Sequence, residues 1–171
     1  MEEKISALIA AAEEKLAPAF KRLEAIEEIG TRRVLAAFQE HQVAYRHFAP
    51  TTGYGYDDVG RDTLEKIFAD LFGTEAAIVR PHIASGTHAI SLCLFGLTLP
   101  GDHILSATGK PYDTLEEIIG MGEGPAPVGS LREMGVSYSD VPLNAAGEID
   151  LAAVEAAIRP NTRLVIAQRS R

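Results

Sequence analysis

The stretch Ile83-Ala84-Ser85-Gly86-Thr87-His88-Ala89-Ile90 has the residue types and spacing best suited to holding an anion. It lies between a short apolar strand signal and an apolar helix signal, so its amides fall in a first helical turn. Those N–H groups have no intrahelical acceptor, and the positive end of the helix dipole lies there too, an arrangement that binds phosphate. Gly86 admits close backbone approach, and Ser85 and Thr87 add hydroxyls. Serine before a helix is equally an ordinary N-cap, and local sequence leaves the two readings even. Neither a G-x-G-x-x-G fingerprint nor a Walker A pattern is present.

Two further segments could do chemistry. Gly109-Lys110-Pro111-Tyr112-Asp113-Thr114 follows a strand signal, and ligands of open α/β sheets sit beyond the carboxyl ends of strands. There the Tyr112 ring could stack on a flat cofactor, although a plain turn before a capped helix accounts for the same residues. The loop carrying Tyr54, Tyr56 and Arg61 offers a guanidinium that matches phosphate bidentately, or is simply a Gly-rich connection with surface aromatics. The histidines, at 41, 47, 82, 88 and 103, show no metal-ligand spacing. His88 reads as a satisfied interior histidine, Cys93 as a small core residue between Leu92 and Leu94, and Glu116-Glu117 as a solvated helix face.

The elements that must position these residues follow from periodicity. Residues 2–46 read as helix, with Ile5, Leu8, Ile9 and Ala12 starting an apolar stripe that Leu16, Phe20, Leu23 and Ile26 continue. Pro18 is expected to kink or divide it, with a second piece after Gly30. A loop spans 47–60; a helix follows, with Asp62 and Glu65 resembling a capping box and Gly73 ending it. Beyond it, strand signals at 76–80, 103–107, 136–143 and 164–167 alternate with helix signals at 87–97, 113–119 and 150–158. That rhythm predicts an α/β fold with a mainly parallel sheet flanked by helices, behind an N-terminal helical arm. The division expected is arm and loop over 1–55 and an incomplete α/β domain over 56–171. The last strand runs into Gln168-Arg169-Ser170-Arg171 with nothing left to cover it, which reads as a sheet cut short.

Composition narrows the function classes. A net charge of −8 disfavours a nucleic-acid partner, since phosphate backbones call for clustered Lys and Arg. A hydrophobic content of 46% fits a globular domain, and no run of eighteen apolar residues points to a membrane span. One cysteine and no secretory leader pattern lean toward the cytoplasm.

Taken together, TTGYGYDDVGRD, SGTHAI and GKPYDTLEE resemble the methionine γ-lyase-like family linked to aluminium resistance, Cys/Met-metabolism enzymes dependent on pyridoxal 5'-phosphate (PLP). The resemblance covers about Gly30 to Arg171, with His82 where glutamine is expected. It implies the large domain of the PLP-dependent transferase fold (fold type I, the aspartate-aminotransferase fold). It implies that Ser85, Gly86 and Thr87 hold the PLP phosphate, that Tyr112 stacks on the pyridine ring, and that Tyr54 or Tyr56 with Arg61 reaches the phosphate of a neighbouring subunit. The spacing to Arg61 departs from the Y-x-R of better-known lyases. A homodimer or homotetramer acting on an amino acid substrate is implied, with carbon–sulfur bond cleavage by β- or γ-elimination. The family's Schiff-base lysine and the aspartate pairing with the pyridine nitrogen match nothing here: the lysines are Lys4, Lys15, Lys21, Lys66 and Lys110, and Lys110 stands before the stacking tyrosine. A non-catalytic module that binds phosphate or a partner is the alternative expectation.

Overall fold

The computed structural model describes residues 2–54, 56 and 58–169. Gly55 and Asp57 of the expected loop, and Ser170 and Arg171 of the tail, lie outside the described residues. The chain forms two compact units, Met1–Pro81 and His82–Arg171, so the compositional boundary at 55/56 falls inside the first.

In the first unit, helix α1 (Glu2–Glu40) runs through Pro18 and Gly30 without being divided at either, so the expected second piece after Gly30 is part of the same helix. A proline inside a helix removes one backbone bond. Helix-forming residues on both sides, Glu13 to Ala17 and Ala19 to Leu23, carry the coil across that gap. Helix ends at Glu40, short of 46, and a 3-10 turn at Tyr45–Phe48 leads into the loop. Helix α2 (Val59–Phe72) starts earlier than the sequence suggests, with Asp58 at its N-cap and left-handed Gly73 (φ 64°) at its C-cap. Asp62 and Glu65 therefore lie within the helix and do not form a capping box. Their carboxylates hold Arg80 instead, at 3.0 Å from Asp62 and 2.7 Å from Glu65.

The same contacts explain the missing first strand. Ala76 to Arg80 has no strand partner among the described residues and is not a strand. It is tied down by side chains: Thr74 Oγ1 donates to Ala76 O, and Val79 N–H donates to Glu65 Oε1. An apolar run needs a neighbouring edge to become sheet, and none is offered among the described residues. The C-terminal end of α1 packs on α2 through buried Ala37, an Arg33–Leu71 carbonyl bond of 2.7 Å and a His41–Asp70 pair.

The second unit is a three-stranded parallel sheet in the order β2-β1-β3, with β1 (His103–Ser106), β2 (Ser137–Asp140) and β3 (Thr162–Ile166). Its helices are α3 (Gly86–Leu97), α4 (Asp113–Ile119) and α5 (Leu151–Ala157). Central β1 is wholly buried, and its alternating side chains serve two cores. Ile104 packs with Leu94, Leu115, Ile119, Leu131 and Val136, while Leu105 packs with Ala107, Val141 and Val154. Both Ile104 and Leu105 have 0% exposure. Full burial of each, relative to exposure, is worth about 1.5–3 kcal/mol. Strand β3 lies at the sheet edge with Val165 52% exposed.

His103 binds the sheet together across its strands. Fully buried, its Nδ1 lies 2.8 Å from Thr162 Oγ1 on β3 and its Nε2 2.8 Å from Ser139 Oγ on β2. Burial, reinforced by the charge of Arg159, pushes its pKa below the ordinary 6.5. Two expectations on α3 are corrected. Cys93 is exposed, because α3 presents Leu94 and Phe95 to the core and turns Leu92 and Cys93 away from it. His88 is exposed as well, and its ring turns back onto its own N-terminal turn.

Candidate functional site

In the second unit the sequence folds Ser85-Gly86-Thr87 into the opening turn of α3. Ser85 is the N-cap, extended at φ −159°, and its Oγ accepts the His88 N–H at 3.1 Å. Its carbonyl accepts the Ala89 N–H at 3.0 Å, starting the helical ladder. The His88 Nδ1 accepts the Ala84 N–H at 3.3 Å. Capping thus consumes the amides of Ala84 and His88, while those of Gly86 and Thr87 take no partner among the described residues. The N-cap and anion readings are therefore compatible, one using Ser85 and the other the next two amides.

Gly86 is the most telling residue of this turn. A Cβ built on it would meet nothing within 4 Å, and its φ is not in the left-handed region. Neither packing nor backbone conformation calls for glycine there. Open space above this turn leaves the Gly86 and Thr87 amides accessible to an incoming oxyanion.

Thr87 Oγ1 lies 2.9 Å from Thr114 Oγ1, which joins the start of α3 to the start of α4. Tyr112 is the residue just before α4, 46% exposed, so its ring is available to stack. Its position is set from β3: Tyr112 N–H donates to Gln168 Oε1 at 3.0 Å, and Gln168 N–H donates to Thr108 Oγ1 at 3.0 Å. All of this lies past the carboxyl ends of β1 and β3, where open parallel sheets place ligands. Sequence reading assigned no role to Thr108, Gln168 or, within its candidate segment, Thr114; their roles depend on which strand ends meet. Lys110 is engaged with Glu116 at 2.7 Å, so Glu116 is a partner in an ion pair and not merely a solvated acid.

The first unit holds the other expected residues. Arg61, on the first turn of α2, donates through Nη1 to Asp58 Oδ2 and, at 2.7 Å, to Thr51 Oγ1. Asp58 is 2% exposed, and the hydrogen bond from Arg61 holds its carboxyl below the usual carboxylate range. Glu65 is likewise held low, chiefly by Arg80, and Arg80 is held high by Glu65. A cavity of about 300 Å³ opens beside Arg61, walled by Phe38, Val43, Phe48, Pro50, Leu64 and Ile67. Tyr54 and Tyr56 are exposed, and neither hydroxyl makes a hydrogen bond among the described residues. Asp58, the partner that decides how Arg61 is held, was not singled out from sequence. Its one available signal was its spacing three residues before Arg61, which gains meaning only once both fall in one helical turn.

Among the described residues no group of three His, Cys, Asp or Glu side chains could hold a metal, and no helix is long and apolar enough to cross a membrane.

Comparison with known proteins identifies the family. The YnbB protein of Bacillus subtilis (strain 168) is 53% identical over 159 residues, which cover 93% of this chain and 38% of that protein. A crystal structure from Listeria innocua, bearing the provisional name cystathionine beta-lyase involved in aluminum resistance, superposes with a TM-score of 0.90 at 50% identity, covering 98% of this chain and 40% of that one. A carbon-sulfur lyase involved in aluminum resistance from Clostridium novyi NT superposes at 0.93 with 40% identity, covering 99% and 41%. The chain thus spans about two fifths of the length of these relatives. The methionine gamma-lyase family profile matches residues 5–171, and the chain belongs to that family.

Proposed function

We propose that this chain is the N-terminal, cofactor-gripping part of a PLP-dependent carbon–sulfur lyase of fold type I that acts on a sulfur-containing amino acid. The observation that carries the reading is Gly86, a glycine with open space above it whose amide, like that of Thr87, takes no partner among the described residues. Relatives named as lyases acting on carbon–sulfur bonds support the reaction class.

In this reading each residue has a defined task. The amides of Gly86 and Thr87 donate to the cofactor phosphate, and the α3 dipole favours its charge. Ser85, whose Oγ accepts from His88, shapes the turn and retains its own proton to donate. The Thr87–Thr114 hydroxyl pair spends one proton internally and has a second to offer. Tyr112 presents its ring face, its backbone fixed by Gln168. Arg61, with Tyr54 or Tyr56, serves the phosphate of a neighbouring subunit in a homodimer or homotetramer. When bound, the cofactor supplies an electron sink for the charge left on the substrate Cα as its proton departs and the carbon–sulfur bond is cleaved. Lys110, spoken for by Glu116, is not assigned the cofactor lysine's role.

Equilibrium dialysis with PLP, competed by inorganic phosphate, tests the assignment. PLP retained by the chain and displaced by phosphate is the expected result. Gly86→Val, which sets a branched side chain in the space above these amides, should abolish retention while circular dichroism stays unchanged. Equal retention by the variant removes Ser85 to Thr87 from the site.

A further inference from the structure

We propose that Asp58 is a positioning residue for Arg61, fixing the guanidinium so that its Nε–Nη2 edge is the one presented to an oxyanion. This rests on the reading above that Arg61 serves the cofactor phosphate.

Three groups close a triangle around one nitrogen. Arg61 Nη1 donates to both Asp58 Oδ2 and Thr51 Oγ1, and Thr51 Oγ1 donates to Asp58 Oδ1 at 3.1 Å. The guanidinium lies close to Gly53 on another side. A Cβ there would stand 3.8 Å from Nη1 and 3.9 Å from Nη2, so the planar head passes under a position that carries no side chain. Gly53 itself has φ +78°, the left-handed conformation that glycine adopts freely.

The consequence lies in which nitrogens remain. Nε and Nη2 make no hydrogen bond among the described residues, and the side chain is 31% exposed. A guanidinium grips an oxyanion bidentately through either of two edges. With Nη1 committed, the Nε–Nη2 edge alone can do so without breaking the triangle. Asp58 is almost fully buried and keeps its charge because Arg61 lowers its pKa, so the clamp is permanent at neutral pH. Arg80 does not depend on it: its Nη1 stands 3.8 Å from Asp58, while Asp62 and Glu65 hold it at 3.0 and 2.7 Å. Aspartate at 58 thus trades some local positive potential for a fixed geometry, a trade that pays when the ligand must be met in one orientation.

A double-mutant cycle on the full-length protein, reading PLP affinity by equilibrium dialysis, tests this. Asp58→Asn is expected to weaken PLP binding about tenfold when Arg61 is present and to change nothing in the Arg61→Ala background, since coupling confined to the pair is what a positioning role requires. Equal weakening in both backgrounds makes Asp58 a structural residue and overturns the proposal. Tighter binding makes it a competitor of the ligand and overturns it too. Should Arg61→Ala alone leave affinity unchanged, the phosphate reading of Arg61 fails. Side-chain nitrogen NMR of the ligand-free protein then decides the geometric claim. Separate Nη signals for Arg61 that merge in Asp58→Asn support the clamp, and signals identical in both proteins end it. If Asp58→Asn does not fold, Thr51→Val takes its place in both measurements, with an expected weakening of about threefold for one lost hydrogen bond.

Discussion

Gly60 and Gly86 each sit in the first turn of a helix, α2 and α3, and follow a residue at an N-cap. A Cβ on Gly60 would stand 2.2 Å from the carbonyl oxygen of His47, whereas one on Gly86 would meet nothing within 4 Å. The first glycine is required by the chain's own packing, because the 3-10 turn at Tyr45–Phe48 is pressed against α2. The second has no such requirement. Their surroundings differ in the same sense. Near Gly60 the polar groups of Asp58, Arg61 and Thr51 largely satisfy one another, while the Gly86 and Thr87 amides lack partners among the described residues. A glycine that the fold does not need, beside donors that the fold does not use, is where a ligand is to be sought.

Substitution at the two positions should separate these roles. Gly60→Ala forces a backbone carbonyl to move and is expected to cost about 3 kcal/mol, read as a lowered denaturation midpoint. Gly86→Ala should leave stability unchanged or raise it by up to about 1 kcal/mol through helix propensity. Its PLP affinity should fall by about tenfold or more, equivalent to about 1.4 kcal/mol. Comparable stability losses at both positions would erase the contrast. Tyr112→Ala sharpens it, with an expected loss of about 1 kcal/mol in PLP affinity from stacking and little change in stability, since the ring is half exposed.

The smallest effect concerns pH and the sheet that carries α3. His103 has a folded-state pKa below the ordinary 6.5, so the unfolded chain takes up the proton first as pH falls. Its contribution to stability is complete above about pH 6.5 and is lost as pH drops toward the lowered value. Urea denaturation midpoints should decline across that window in the native protein, and more shallowly in His103→Gln. Parallel profiles would show that His103 is not the group responsible.

Much of the second unit was legible in the sequence. Helix α4 matches the expected span 113–119, Asp150 caps α5 by accepting the Ala153 N–H at 3.0 Å, and β1 and β3 fall within one or two residues of their apolar signals, while β2 stops three residues short of its own. In these segments local periodicity and tertiary packing agree. The failures share a cause. Ala76 to Arg80 has strand composition but no partner edge, Pro18 lies in a helix long enough to lose one bond, and Cys93 faces away from the core that Leu94 enters. Each outcome was decided by a neighbour or a facing direction that apolar content does not encode.

The sequence by itself determined the alternation of strands and helices, the N-cap at Ser85 and the family signature, because these depend on residue types within a few positions of one another. Tertiary structure alone decided that Thr114 meets Thr87, that Gln168 steadies Tyr112, and that Asp58 and Thr51 hold one nitrogen of Arg61 while leaving an edge of the guanidinium open. Hydrogen-bond geometry is set to within tenths of an ångström by which elements converge, and residues 27 or 56 apart in the chain acquire that closeness only when the chain is folded.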